Sequence, residues 1–237
     1  MAKINIKGAI VSNDIKWIYE WFEMDATSPK DVENEIEKAN GEDLEVEINS
    51  GGGDVFAGSE IYTALKSYKG NVEVRIVGIA ASAASVIAMA GDKVLISPTA
   101  EMMIHNVSSV VRGDYRDLEH EAKVLKDYNS TIANAYMLKS GMSKEKLLSM
   151  MNDETWLTPE KALEYKLVDE IMFKNEFKLV ASFNPSQILP QEVINKIRNE
   201  FKNPINSQKK NESDIFMQKK AYAQLKLLKL KGEIHDE

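Results

Sequence analysis

The sequence predicts an α/β protein built from βαβ units around a mostly parallel sheet. Three observations carry that expectation. Alternating or β-branched apolar segments at residues 4–11, 44–48 and 72–77 recur at intervals that leave room for a helix between them. The later two lead through turn chemistry into stretches of helical character. The third ends in a run of small residues, Gly78-Ile79-Ala80-Ala81-Ser82-Ala83-Ala84-Ser85, ahead of the apolar segment 86–90. Gly, Ala and Ser in that position let another backbone come close, so the run reads as strand, sharp turn and buried helix. A sheet of this kind is expected to be covered on both faces.

Composition bounds the rest. A chain of 237 residues accommodates one sizeable domain plus an appendage. Its 43% hydrophobic and 28% charged residues are those of a globular protein, and a net charge of −7 argues against a nucleic-acid surface. The absence of cysteine excludes disulfides, a catalytic thiol and thiolate metal sites, and is compatible with a reducing cytoplasm. No metal or cofactor motif is present. No apolar leader precedes the first strand. The apolar run 72–90 contains Glu73 and Arg75, and its uncharged part is shorter than the roughly 20 residues of a membrane span.

Taken in order, the first strand ends at Ser12-Asn13-Asp14, and Trp17 and Trp21 follow, four apart on one helical face. Ser28-Pro29-Lys30-Asp31 starts a helix, with Ser as N-cap, Pro in the first turn and an acid near the positive end. It is expected to stop at Asn40-Gly41, glycine supplying the stop. The strand 44–48 delivers the chain to a glycine turn, Asn49-Ser50-Gly51-Gly52-Gly53-Asp54, and a helix over 55–68. Short strands follow at 93–96 and 101–105, and the polar, β-prone tract 106–113 leads to a long helix over 114–139 closed by Ser140-Gly141. Ser143 caps a short helix to Met151, Trp156-Leu157 is extended, Thr158-Pro159-Glu160 opens a last helix, and 167–171 closes the domain. From about 175 the character becomes linker-like, around two candidate helices at 190–201 and 213–231. Residues 175–237 are therefore read as a C-terminal extension that is mobile or docked on a partner.

Chemistry concentrates where strands end. Ser82, the three glycines and His105 all lie past strand C-termini, the edge at which open α/β sheets form sites. Each has a bland reading as well. Ser82 could belong to a tightly packed core helix whose serines bond to their own backbone. The glycines could form a tight turn, and without a following Gly-Lys-Ser/Thr they are not a P-loop. His120 on the long helix reads as a solvated or interface residue, and His235 sits in the extension.

Four motifs in this order resemble the Clp-type serine peptidases, the ClpP family: Ile48-Asn49-Ser50-Gly51-Gly52-Gly53, Gly78-Ile79-Ala80-Ala81-Ser82-Ala83, Met103-Ile104-His105, and residues 158–169 ending Glu164-Tyr165-Lys166-Leu167-Val168-Asp169. The similarity runs over about 3–173 and is greatest to the phage and prophage head-maturation (prohead) proteases. The resemblance implies a ClpP/crotonase-like fold in which 106–141 forms a protruding "handle", within a peptidase domain at 1–174. It implies Ser82 as nucleophile, His105 as general base, Gly53 and Ala83 as oxyanion donors, and Gly51 and Gly52 as a strand pairing with substrate. A serine hydroxyl needs a neighbouring imidazole to take its proton, and histidine's ordinary pKa of about 6.5 suits that task. The family's third member, an aspartate, falls on Glu154, with Asp153 as the alternative and a Ser-His dyad as a further one.

The resemblance also implies a homo-oligomeric ring, heptameric or stacked in the family, that acts on polypeptides without metal or cofactor. The chain begins at its first strand, without the segment that precedes it in housekeeping Clp peptidases, which argues against docking to an AAA+ unfoldase. The expected function is an ATP-independent serine endopeptidase processing phage capsid or scaffold proteins in the cytoplasm of a bacterial host or on proheads. The rivals are a degradative Clp-like peptidase with an AAA+ partner, an inactive ring-forming scaffold, and an acyl-CoA-binding relative of the crotonases.

Overall fold

A computed structural model of the chain describes residues 1–173. The expected C-terminal extension, its two candidate helices and His235 lie outside the described residues. The chain opens with β1 (Ala2–Ile10), α1 (Lys16–Trp21), β2 (Ala26–Thr27) and α2 (Pro29–Ala39). There follow β3 (Leu44–Gly53), α3 (Val55–Lys66), β4 (Val72–Ala81), α4 (Ala83–Ala88), β5 (Lys93–Ile96) and β6 (Glu101–Ile104). The described part closes with α5 (Tyr115–Ser140), α6 (Lys144–Asn152), β7 (Thr155–Leu157), α7 (Pro159–Glu164) and β8 (Glu170–Ile171). The main sheet has the order β2-β1-β3-β4-β5-β8, all parallel, while β6 adds to β4 in parallel and β7 to β6 antiparallel.

Strand alternation decides which face is buried. Ile4 and Ile6, then Leu44, Val46 and Ile48, then Val72, Val74 and Ile76 are all buried and share one core with Val32, Ile61, Leu65 and Ile87 from the helices. Each such side chain withdrawn from water contributes about 1.5–3 kcal/mol. The intervening residues form the other face, and there the expectation of a sheet covered on both sides fails among the described residues. That face is a ladder of charges: Lys3 Nζ lies 2.6 Å from Glu47, and Arg75 bridges Glu45 at 2.9 Å and Glu73 at 2.7 Å. Period-two patterning puts every second residue of β1, β3 and β4 on this face, Lys3, Glu45, Glu47, Glu73 and Arg75 among them.

Three boundaries also differ. The glycines are not a turn after β3 but its last residues, continuing the ladder with β1 across a register shift to Ile10 opposite Gly53. The helix α2 is closed by Asn40 itself in left-handed conformation, φ 47°, rather than by Gly41 alone. The β-prone tract 106–113 forms no strand, so the stretch expected as a handle consists of irregular chain and α5. At 26 residues α5 is about 39 Å long. Asp114 caps it through the Arg116 N–H at 2.8 Å, and Gly141 ends it at φ 72°. Its first turns are exposed, His120 included, whereas Ile132, Ala133, Ala135 and Tyr136 near its other end are buried.

Candidate active site

Ser82 and His105 are brought together by adjacent strands. β4 and β6 run parallel with Ala81 opposite Met103, and the Ser82 N–H donates to the Met103 carbonyl at 3.0 Å. The residue following each strand then faces the same space. His105 Nε2 lies 2.8 Å from Ser82 Oγ. With the ring proton on Nδ1, Nε2 accepts the serine hydroxyl, the geometry of a base poised on a nucleophile. Ser82 itself takes φ 54° and ψ −127°, a sparsely populated conformation for a non-glycine residue that costs about 1–3 kcal/mol. The strained turn lifts its side chain out of the strand direction and into the cleft.

The glycines are dictated by that turn. A Cβ on Gly52 (φ 91°) would sit 2.6 Å from the Ala81 carbonyl oxygen, 2.7 Å from Ser82 Cβ and 2.9 Å from the Ala83 nitrogen. A Cβ on Gly53 would lie 2.2 Å from the Ile10 carbonyl oxygen. Ser50, almost fully buried, clamps the segment: its hydroxyl donates to the Gly8 carbonyl at 2.6 Å and accepts the Gly52 N–H at 3.1 Å. Of the two glycines expected to pair with substrate, Gly52 is thus buried with its N–H engaged, while Gly51 is open. Gly53 and Ala83 flank Ser82 in a cleft of about 280 Å³ whose apolar walls come from Phe56, Val86, Val107, Ile132 and Tyr136.

The expected third member is placed by register. β6 pairs antiparallel with β7, Ile104 opposite Thr155, so the neighbouring positions His105 and Glu154 come at the same level. Glu154 takes φ 47°, and its carboxylate accepts the Trp156 indole N–H at 3.3 Å. Asp153 ends α6. Among the described residues the imidazole's hydrogen bond is the one to Ser82; neither carboxylate bonds to it.

Sequence reasoning passed over four polar residues around this site. Ser85 and Tyr136 form a buried pair at 2.8 Å behind Ser82, and burial pushes the Tyr136 phenol far above its ordinary pKa. Asn106, next to His105, donates to Asn152 at 2.7 Å and leaves its own Oδ1 buried without a partner among the described residues. Ser50 is the fourth. A serine three residues after Ser82, and a tyrosine in the apolar stripe of the long helix, were the available signals. No group of three or more metal-ligating side chains occurs among the described residues.

The comparisons with known proteins define the class first. A family model for Clp protease matches residues 35–175, more than half of the chain, and the chain belongs to that family. Among particular relatives it is similar to the ATP-dependent Clp protease proteolytic subunit of Deinococcus radiodurans, 36% identical over 133 residues, covering 55% of this chain and 65% of that protein. The subunit of the same name from Porphyromonas gingivalis is 32% identical over 137 residues, covering 57% of this chain and 62% of that protein. The chain thus spans just under two thirds of the length of these relatives. A mutant of ClpP1 from Listeria monocytogenes superposes with a TM-score of 0.59 at 25% identity, covering 74% of this chain and 93% of that one. The α/β fold with its parallel sheet is that of this neighbour.

Proposed function

We propose that this chain is a serine endopeptidase of ClpP type. The observation that carries the reading is the 2.8 Å contact between Ser82 Oγ and His105 Nε2 beside the Gly53 and Ala83 amides. Ser82 Oγ attacks the peptide carbonyl carbon as His105 Nε2 takes its proton. The carbonyl oxygen gains the negative charge, and the Gly53 and Ala83 N–H groups stabilise it. The tetrahedral species collapses, the C–N bond breaks, and His105 returns the proton to the leaving amine. Water then attacks the acyl-serine by the same route in reverse, releasing the acid and restoring Ser82. Glu154, level with His105 in the β6–β7 register, is the carboxylate best placed to receive the Nδ1 proton's hydrogen bond once it leaves Trp156. An extended polypeptide alongside Gly51 and Gly53 is held by its backbone, which makes cleavage tolerant of side chains.

The substrates we infer are capsid or scaffold proteins of a phage, cut without ATP by a ring of subunits. The support is the motif-level resemblance to prohead proteases. A second reading is a degradative subunit served by an AAA+ unfoldase; the Deinococcus and Porphyromonas relatives are named as ATP-dependent Clp protease proteolytic subunits. A fluorophosphonate probe with mass mapping tests the chemistry: wild type labels at Ser82, and Ser82→Ala and His105→Ala do not. Absence of label on the assembled wild type would favour an inactive scaffold. Offering capsid precursor and a stably folded tagged protein, each with and without ATP and a Clp unfoldase, separates the two peptidase readings.

A further inference from the structure

Ser85 and Tyr136 are the only polar pair among the described residues that is buried directly behind the nucleophile, and the peptidase chemistry leaves both unused. Ser85 is inaccessible and Tyr136 nearly so. The Ser85 hydroxyl donates to the Ser82 carbonyl at 2.7 Å. A serine hydroxyl has one hydrogen, so in the 2.8 Å contact between Ser85 Oγ and Tyr136 the phenol is the donor. Burial keeps that phenol protonated throughout the working pH range. The result is a directed chain, Tyr136 O–H to Ser85 Oγ–H to Ser82 C=O, in which each bond polarises the next.

The Ser82 carbonyl shares a planar trans peptide with the Ala83 N–H, and the two point in opposite directions. Fixing the carbonyl on one side therefore fixes the amide on the other, and Ala83 lines the cleft. We propose that Ser85 and Tyr136 are positioning residues for the Ala83 amide, holding the Ser82–Ala83 peptide plane so that this N–H points at the developing oxyanion. The backbone alone constrains the plane less well. The Ser85 and Val86 N–H groups also reach the Ser82 carbonyl, at 2.9 and 3.3 Å, but both come from the same six-residue helix that this peptide opens. Tyr136 comes from α5, a separate and longer element, and ties the plane to the rest of the domain. It also lines the cleft beside Ser82, so its ring and its hydroxyl have separable tasks.

The proposal rests on the peptidase reading, and the test separates the two. Full-length wild type, Tyr136→Phe, Ser85→Ala and the double variant are compared in three ways: the rate of fluorophosphonate labelling at Ser82, kcat and KM on a short fluorogenic peptide, and the affinity for the matching peptide aldehyde. An aldehyde forms a tetrahedral adduct whose oxygen occupies the oxyanion position. Each single variant is expected to lower labelling rate, kcat and aldehyde affinity by about three- to tenfold, the equivalent of one neutral hydrogen bond, with KM moving less than twofold. Because the two hydroxyls act in series, the double variant falls no further than the worse single one. Unchanged labelling and aldehyde affinity in Tyr136→Phe, or losses that multiply in the double variant, would overturn the proposal. Tyr136→Phe keeps the ring and its packing, so it decides the matter alone if Ser85→Ala does not fold. A wild type that is not labelled at Ser82 would overturn the peptidase reading itself, and this inference with it.

Discussion

Ser82 and His105 meet because Ala81 pairs with Met103: one rung of the β4–β6 ladder sets two side chains, 23 residues apart in sequence, at 2.8 Å. The contact is a product of strand register and of the φ 54° turn at Ser82. A base held at hydrogen-bond distance is what lets a hydroxyl act as nucleophile near neutral pH. Replacing His105 by Ala is expected to lower kcat/KM on the order of 10⁴-fold or more while leaving thermal unfolding within a few degrees. Replacing Ser82 as well should add almost nothing, since the two groups act as one unit. A multiplicative loss in the double variant, read from peptide hydrolysis, would show that they do not.

The glycines offer a sharper contrast. An alanine at position 52 has to place its Cβ within 3 Å of Ala81, Ser82 and Ala83 at a φ of 91°, whereas nothing lies within 4 Å of a Cβ at position 51. Gly52→Ala should therefore cost about 1–3 kcal/mol of stability and displace the nucleophile, with labelling slowed at least about 10²-fold. Gly51→Ala should fall within about 0.5–1 kcal/mol of wild type. Urea denaturation of both variants, alongside labelling rates, measures the difference. Equal costs at the two positions would mean that the backbone around Ser82 is free to relax.

Much of this was legible in the sequence, for reasons that can be named. Strand, glycines, small-residue turn and histidine each carry local signals, and their placement on one sheet edge follows from parallel topology. Alternation in Leu44-Glu45-Val46-Glu47-Ile48 and Val72-Glu73-Val74-Arg75-Ile76 already marked one face as polar. The expectation of a doubly covered sheet set that pattern aside, and the ion pairs of Arg75 with Glu45 and Glu73 restore it. Not legible were the contacts that depend on long-range packing. No local pattern joins Ser85 to Tyr136 across 51 residues, or shows that the Glu154 carboxylate turns toward Trp156. The tract 106–113 has β-prone residues but no neighbouring strand to pair with among the described residues, and so stays irregular.

We propose Glu154 rather than Asp153 as the carboxylate partner of His105, on the strength of register. With Ile104 opposite Thr155, the residue level with His105 is Glu154, while Asp153 remains at the end of α6. Glu154→Gln should reduce kcat by about 10²–10⁴-fold with little change in KM, because an amide neither orients the imidazole in the right tautomer nor stabilises its charge. Asp153→Asn should stay within about twofold of wild type, since an exposed charge a residue away contributes little. Steady-state kinetics on the two variants decide it. A loss in Asp153→Asn alone would reverse the assignment, and no loss in either would leave Ser82 and His105 as a dyad.

Away from the site, acid stability tests the start of α2. Asp31 Oδ2 accepts the Ser28 N–H and hydroxyl, each at 2.8 Å, and faces Lys16 Nζ at 2.7 Å. Burial pushes the Asp31 carboxyl up, but the bonds from Lys16 and Ser28 outweigh it, and the pKa falls below its ordinary value. For Lys16 burial likewise opposes the charge, and the bonds to Asp31 and Glu20 more than offset it, raising the pKa. A carboxyl with a lowered folded pKa stabilises the fold above its unfolded value of about 3.9, and that stabilisation is lost as the pH drops through the folded value. The Lys16 contribution has the opposite sense: it is full below about 10.4 and is lost as the pH rises through the raised folded value. Asp31→Asn should thus cost about 1 kcal/mol at pH 7, a figure held down because 42% of the side chain remains exposed to solvent. Wild type and variant should converge as the pH falls through that lowered folded value, where the wild-type carboxyl is itself protonated. Urea denaturation of both proteins in steps from pH 7 into acid gives the differences, and a gap that stays constant throughout would assign the effect to packing rather than to charge.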